Sequence, residues 1–251
     1  MKKRIAAFNW KLDPQTLDGF DQTHRTLKRL AKKYEDVEVI FAPPMPFLGY
    51  KHGKDGELHR ASQTISTDMS GAHTGEVSAA MVAGIGCTYS IIAHSEMRER
   101  YQYDDQQIRK RIHAALDNKL IPIVCFGESK RDAKGVFIDG LEEQITTALD
   151  TLSPAQMKKV VLAYEPLWAI GANAQRPITE KELFSTIILI KNILVRNYGD
   201  SIEKHIKIMY GGSVKDHNAK ALAAVTGVSG FLIGSASHDL DQLEDIIASL
   251  A

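Results

Sequence analysis

The stretch Val160-Val161-Leu162-Ala163-Tyr164-Glu165-Pro166-Leu167-Trp168-Ala169-Ile170-Gly171 decides how this chain is read. Its first part is a short apolar run with two valines, the pattern of a strand buried on both faces. A carboxylate, Glu165, stands where the run stops. Pro166 follows, which has no N–H to donate and keeps the residue before it out of the helical region. A mostly apolar loop with a tryptophan comes next and closes at Gly171. Loops normally lie on the surface and are polar, so an apolar loop needs a reason. One reason is a lid that covers the strand-end carboxylate and excludes water. The plainer one is a buried loop under a salt-bridged glutamate. Matching chemistry at other strand ends favours the lid.

Working outward, short apolar runs alternate with amphipathic stretches. The runs are Ile5–Phe8, Val37–Ala42, Arg60–Gln63, Tyr89–Ala93, Ile121–Phe126, Val160–Tyr164, Ile206–Tyr210 and Phe231–Ile233. Thr16–Tyr34 carries Leu17, Phe20, Leu27, Leu30 and Ala31 on one helical face, and Asp104–Asn118 carries Ile108, Ile112, Ala115 and Leu116. Thr179 with Glu182 three residues later reads as a capping box opening a helix over 181–196, and Leu240–Leu250 reads as the last helix. Strand–helix units of this spacing predict an α/β fold with a parallel sheet. Eight units in 251 residues predict one closed (β/α)8 barrel domain over residues 1–251, with an open doubly wound sheet as the alternative.

Composition sets outer bounds. The content is 44% hydrophobic and 25% charged, ordinary for a globular protein. The formal net charge is zero, which gives a nucleic acid or an acidic membrane no electrostatic hold. The two cysteines, Cys87 and Cys125, lack metal or redox spacing, the usage of a reduced, cytoplasmic protein. The apolar part of Met1–Phe8 is too short for a signal peptide. No run reaches the roughly 18 apolar residues of a membrane span.

In a (β/α)8 barrel, function gathers where strands end. Asn9, Trp10 and Lys11 follow the first run; His94, Ser95 and Glu96 the fourth; Glu165 the sixth. Gly211-Gly212-Ser213 and Gly234-Ser235 follow the last two, each ahead of a helical stretch. Glycine lets backbone approach a ligand, and N–H groups at a helix start favour an anion. Two such turns in these positions predict a phosphate ester as ligand. Gly84-Ile85-Gly86 lacks the third glycine of a dinucleotide fingerprint. Glu165 under its lid is placed as a general base. His94 at a helix start favours the neutral imidazole, able to donate a hydrogen bond to a carbonyl. Lys11 supplies positive charge. A base, a neutral electrophile and a cation around a phosphate ester suit proton abstraction beside a carbonyl, through an enediolate. That is an aldose–ketose isomerisation, which needs no metal and no cofactor.

At this point the chain resembles the triosephosphate isomerase family along its whole length. The resemblance is carried by Asn9-Trp10-Lys11, His94-Ser95-Glu96, Ala163–Gly171, Tyr210-Gly211-Gly212-Ser213-Val214 and Gly230-Phe231-Leu232-Ile233-Gly234. It implies a TIM barrel acting on a small sugar phosphate, with Lys11, His94 and Glu165 catalytic. It implies Asn9 as a substrate contact, Glu96 as a supporting carboxylate, and Gly171, Ser213, Gly234 and the Ser235 N–H as holders of phosphate. Gly71-Ala72-His73-Thr74-Gly75-Glu76-Val77-Ser78 resembles the family's dimer loop, which implies a homodimer through 71–78. Independently, a long polar loop there reads as functional or docked.

The departures are local. Ala172-Asn173-Ala174 and then Gln175-Arg176-Pro177 stand where the family runs Thr-Gly-Lys; Ser235 replaces a glycine, Ala93 replaces the glycine before the histidine, Met97 replaces an arginine, and Thr64 stands where asparagine is frequent. Similar lid changes occur in relatives that isomerise four-carbon ketose phosphates, so the resemblance leaves an erythrulose phosphate as a second substrate and predicts measurable four-carbon activity. A non-catalytic phosphate-binding barrel is opposed by the joint presence of Lys11, His94 and Glu165. A Schiff-base aldolase or synthase is opposed by Lys11 lying beyond its strand. Cys125-Phe126-Gly127-Glu128 reads as structural, and Trp168 as the lid's anchor. His24, His52, His59, His113, His205, His217 and His238 lack ligand spacing and read as surface or capping residues.

Overall fold

The computed structural model describes residues 3–50, 56–132, 134–171 and 174–251. Parallel strands close on themselves in sequence order: β1 (Arg4–Asn9), β2 (Val37–Ala42), β3 (Leu58–Ser62), β4 (Tyr89–Ile92), β5 (Ile121–Phe126), β6 (Val161–Tyr164), β7 (Ile208–Tyr210) and β8 (Val228–Ile233). The seam pairs Ile5 with Gly230 and Phe8 with Ile233. Only glycine fits at Gly230, because a Cβ there would lie 2.0 Å from the Ile5 carbonyl oxygen. The closed barrel is the expected architecture, and the open sheet is excluded.

The helices, in chain order, are α1 (Leu17–Lys33), α2 (Met45–Leu48), α3 (Ala79–Gly84), α4 (Ser95–Tyr101), α5 (Asp105–Asp117), α6 (Val136–Leu149), α7 (Pro154–Met157), α8 (Glu180–Tyr198), α9 (Asp216–Ala223) and α10 (Leu240–Ala248). Their starts follow local chemistry. Thr16 accepts from the Gly19 N–H at the start of α1, and Asp104 with Gln107 forms a capping box on α5. The box read at Thr179 and Glu182 is present on α8. Among the described residues no helix is long and apolar enough to cross a membrane.

Alternation along each strand divides the core in two. Ile5, Ala7, Ile40, Ile91, Ile123 and Ala163 fill the barrel. Ala6, Phe8, Val39 and Phe41 face outward onto Phe20, Leu27 and Leu30 of α1. Some boundaries differ from the sequence reading. β8 begins at Val228, ahead of the expected Phe231: Ser229 and Gly230 break the apolar run, and the pairing with β7 shifts register past Ser229 before resuming at Gly230. β3 spans Leu58–Ser62, and Gln63, expected inside it, turns out of the ladder. Its amide donates to the carbonyls of Lys11 at 2.7 Å and Ala42 at 2.9 Å. His24 is a correction: it is buried, stacked on Phe20 at 5.3 Å, because its position in α1 falls on the apolar face. His52 lies outside the described residues, as do Ala172 and Asn173 of the altered lid.

Candidate active site

Asn9, Lys11, His94, Glu96, Glu165, Gly171, Ser213, Gly234 and Ser235 all line one cavity of about 770 Å³. It opens at the carboxyl ends of the strands, where turns from β1, β4, β6, β7 and β8 converge.

Lys11 leaves β1 with a left-handed backbone, φ 52°, uncommon for a residue with a side chain. Its N–H donates to Asn9 Oδ1 at 3.1 Å and its carbonyl accepts from Gln63, so the turn is held from both sides. Nζ donates to Glu96 Oε1 at 2.7 Å. Partial burial pushes the Glu96 carboxyl up, but the hydrogen bond and charge of Lys11 more than offset it, and it lies below the usual carboxylate range. Gly234 clears a path for Lys11, since a Cβ there would lie 3.0 Å from Lys11 Cε.

His94 caps the start of α4. Its Nδ1 accepts from the Glu96 N–H at 3.3 Å, which leaves the ring proton of the neutral imidazole on Nε2. Nε2 lies 3.2 Å from Glu165 Oε1. The residue before it, Ala93, also has a left-handed backbone, φ 60°. Half-buried Arg98 holds that conformation, with Nε donating to the Ala93 carbonyl at 3.2 Å and its other arm to the Cys125 carbonyl at 3.2 Å.

Glu165 is 2% exposed. Its Oε2 accepts from the Ser95 N–H at 2.9 Å. Its own N–H donates to the Phe126 carbonyl at 2.8 Å, continuing the β5–β6 ladder past the strand end. Glycine neighbours make room: a Cβ on Gly127 would sit 1.8 Å from the Glu165 carbonyl oxygen, and one on Gly211 would sit 2.9 Å from Glu165 Cγ.

The lid carries a short 3-10 turn, Leu167–Ala169, with Trp168 and Ala169 buried. Trp168 Nε1 donates to Glu128 Oε1 at 2.8 Å, as does the Tyr164 hydroxyl at 2.8 Å. The Glu128 carbonyl accepts from the Leu167 N–H at 3.0 Å. At the lid's far side Gly171 adopts φ 70°, and the Ser213 hydroxyl reaches the Ala169 carbonyl at 3.4 Å. Gly212 cannot carry a side chain, because a Cβ would meet the Tyr210 hydroxyl at 2.1 Å. Ser235 opens a 3-10 turn, Ser235–His238, tied to β1 by the Ser237 hydroxyl donating to the Asn9 carbonyl at 3.2 Å.

Sequence reasoning passed over two residues here. Glu128, read as structural, is the acceptor that latches Trp168 and Tyr164. Cys125, also read as structural, turns its thiol onto Glu165 inside the barrel, where burial pushes the thiol well up. Their only sequence signal was position at the end of β5. Among the described residues no cluster of His, Cys, Asp and Glu has the makings of a metal site. The loop 71–78 is exposed through Glu76, and Ser78 caps α3 by accepting from the Met81 N–H at 3.3 Å.

The closed parallel barrel is of the (β/α)8 type, with these strand-end side chains gathered on its carboxyl face. A family model described as triosephosphate isomerase matches residues 4–250. Proteins named triosephosphate isomerase from Dictyoglomus turgidum and Acetivibrio thermocellus are 32% identical over 252 residues and 35% identical over 248 residues. The alignments cover 99% and 98% of this chain, and 100% and 97% of those proteins. One from Alkaliphilus metalliredigens is 34% identical over 253 residues, covering 98% of this chain and 99% of that protein. The chain belongs to the triosephosphate isomerase family.

Proposed function

We propose that this protein interconverts dihydroxyacetone phosphate and glyceraldehyde 3-phosphate. The relatives' names and the family match support that reaction. The observation that carries the residue roles is the convergence of Lys11, His94 and Glu165 on one cavity, with His94 Nε2 3.2 Å from Glu165 Oε1. The Nε2 proton of His94 is placed to polarise the substrate carbonyl. Lys11 contributes positive charge where the oxygen becomes negative, and Glu96 orients it. Glu165 removes the proton on the carbon beside the carbonyl, leaving an enediolate, and returns it to the neighbouring carbon, while the adjacent hydroxyl proton passes to the former carbonyl oxygen. Asn9 contacts the substrate. Gly171, Ser213, Gly234 and the Ser235 N–H hold the phosphate.

In this structure both Glu165 oxygens are engaged, one by Ser95 and one facing His94. Proton abstraction requires that one be released toward the substrate. The lid then excludes water around the enediolate. The same reading makes the protein a cytoplasmic homodimer in triose-phosphate metabolism, docked through 71–78.

The relatives above are named for the triose reaction, so it is preferred to the four-carbon one. A coupled assay with glyceraldehyde 3-phosphate and an erythrulose phosphate tests the choice. A higher specificity constant for the triose is expected; a higher one for the erythrulose phosphate reverses the assignment.

A further inference from the structure

Arg176 stands just beyond the lid and outside the cavity wall. Its guanidinium carbon lies 4.6 Å from the centroid of the Trp168 ring. The same group grips both oxygens of Glu182, Nη1 to Oε2 at 2.9 Å and Nη2 to Oε1 at 2.6 Å. Glu182 belongs to the capping box of α8, where Oε2 also accepts from the Thr179 N–H at 3.0 Å and the Thr179 hydroxyl at 2.8 Å. These donors hold the Glu182 carboxyl down to about 2, the Arg176 hydrogen bond first among them. A bidentate pair fixes the plane of the guanidinium as well as its position.

Trp168 is held on two other sides. Its edge donates to Glu128, and its carbonyl accepts from the Gln175 N–H at 2.8 Å. The ring is therefore hydrogen-bonded at its edge to the end of β5, with a cation anchored to α8 against its face. An ordinary exposed ion pair holds little in place. Arg176 differs because its partner carboxylate is fixed in a helix cap and its stacking partner is a buried ring.

We propose that Arg176 is a positioning residue of the lid, coupling the Trp168 ring to the start of α8 and so setting where the lid rests over the cavity. Its effect on turnover rests on the isomerase reading; its hold on Trp168 does not. Arg176 reaches none of Lys11, His94 or Glu165. Without it the lid samples more positions, and a bound phosphate ester must order it at greater cost.

The test compares Arg176→Ala and Arg176→Lys with the parent protein. Kinetic constants for glyceraldehyde 3-phosphate and inhibition by inorganic phosphate are measured. Acrylamide quenching of Trp168 fluorescence is read beside them, with a Trp168→Phe protein giving the Trp10 contribution. Arg176→Ala is expected to raise KM and the phosphate inhibition constant about two- to fivefold, the range that an exposed cation–π contact sustains. Its kcat should change less than KM, and Trp168 quenching should increase. Arg176→Lys keeps the charge without the planar fork and is expected to fall between. Quenching equal to the parent's in both variants overturns the proposal, as does a fall in kcat at unchanged KM. A parent protein inactive on triose phosphates would sink the isomerase reading, and the quenching comparison would still decide whether Arg176 holds Trp168.

Discussion

Glu165 accepts a 2.9 Å hydrogen bond from the Ser95 backbone N–H, so the carboxylate at the end of β6 is held by the first residue of α4. The residue before that helix is His94, whose Nε2 faces the other oxygen. One turn thus presents the ring and holds the carboxylate.

A base in that position works only within hydrogen-bond reach of the proton it takes. Glu165→Asp withdraws the carboxylate by one methylene and is expected to lower kcat by about 10²–10⁴-fold. Inhibition by inorganic phosphate should be nearly unchanged, since the phosphate turns are untouched. Near-normal turnover would remove Glu165 from the mechanism.

The Lys11–Glu96 pair sets a pH dependence. The folded Glu96 carboxyl lies below its unfolded value of about 4.3. Its contribution to stability is therefore complete above that unfolded value and is lost as pH falls through the folded one. The difference in urea midpoint between the parent and Glu96→Gln should be flat from neutral pH down to about pH 5 and shrink below about pH 4. A difference that widens on acidification would contradict the assignment.

Glu128 accepts from Trp168, Tyr164 and Arg131 while nearly buried. Replacing it by alanine leaves those donors without their acceptor, at an expected cost of about 3 kcal/mol in chemical denaturation. Glu128→Gln keeps one oxygen acceptor and should lose less. Equal losses in the two variants would mean that the hydrogen bonds are not what Glu128 contributes.

Ala93 holds a left-handed backbone that costs a residue with a Cβ roughly 1–2 kcal/mol. Ala93→Gly removes that strain but adds chain entropy to the unfolded state, about 0.5–1 kcal/mol. A gain of up to about 1 kcal/mol, with activity retained, is expected by urea titration. A clear loss would show that the Ala93 methyl group contributes packing that outweighs the strain.

The loop 71–78 is expected to carry a homodimer. A variant in which it is shortened should sediment as a monomer with depressed activity. An active monomer, or an unchanged dimer, would move the interface elsewhere.

Much of this was legible along the chain. The short apolar runs and the period-3.6 patterns locate the strands and most long helices, because burial on a closed barrel demands apolar runs between amphipathic stretches. Lys11, His94, Glu165 and both glycine turns were legible because each stands at a strand end, and in a parallel barrel all strand ends share one face. Short or polar stretches were less clear: β8 contains Ser229, where the register against β7 shifts, and Gly230, whose place in the ladder depends on pairing with β1 and not on its own hydropathy.

What tertiary structure alone decided is who meets whom. Lys11 has no partner in its own run, and the barrel brings Glu96 to it across 85 residues. The sequence read Glu128 and Cys125 as structural without saying what they hold, and closure of β5 against β6 sets them on the lid's tryptophan and on Glu165. His24 looked like a surface residue until the α1 face was packed. Local pattern is set by the residue's own chemistry and its near neighbours, so it can be read in one dimension. Hydrogen bonds between distant side chains depend on strand order, register and the small shifts that glycines such as Gly127 and Gly211 permit, and those exist only once the barrel has closed.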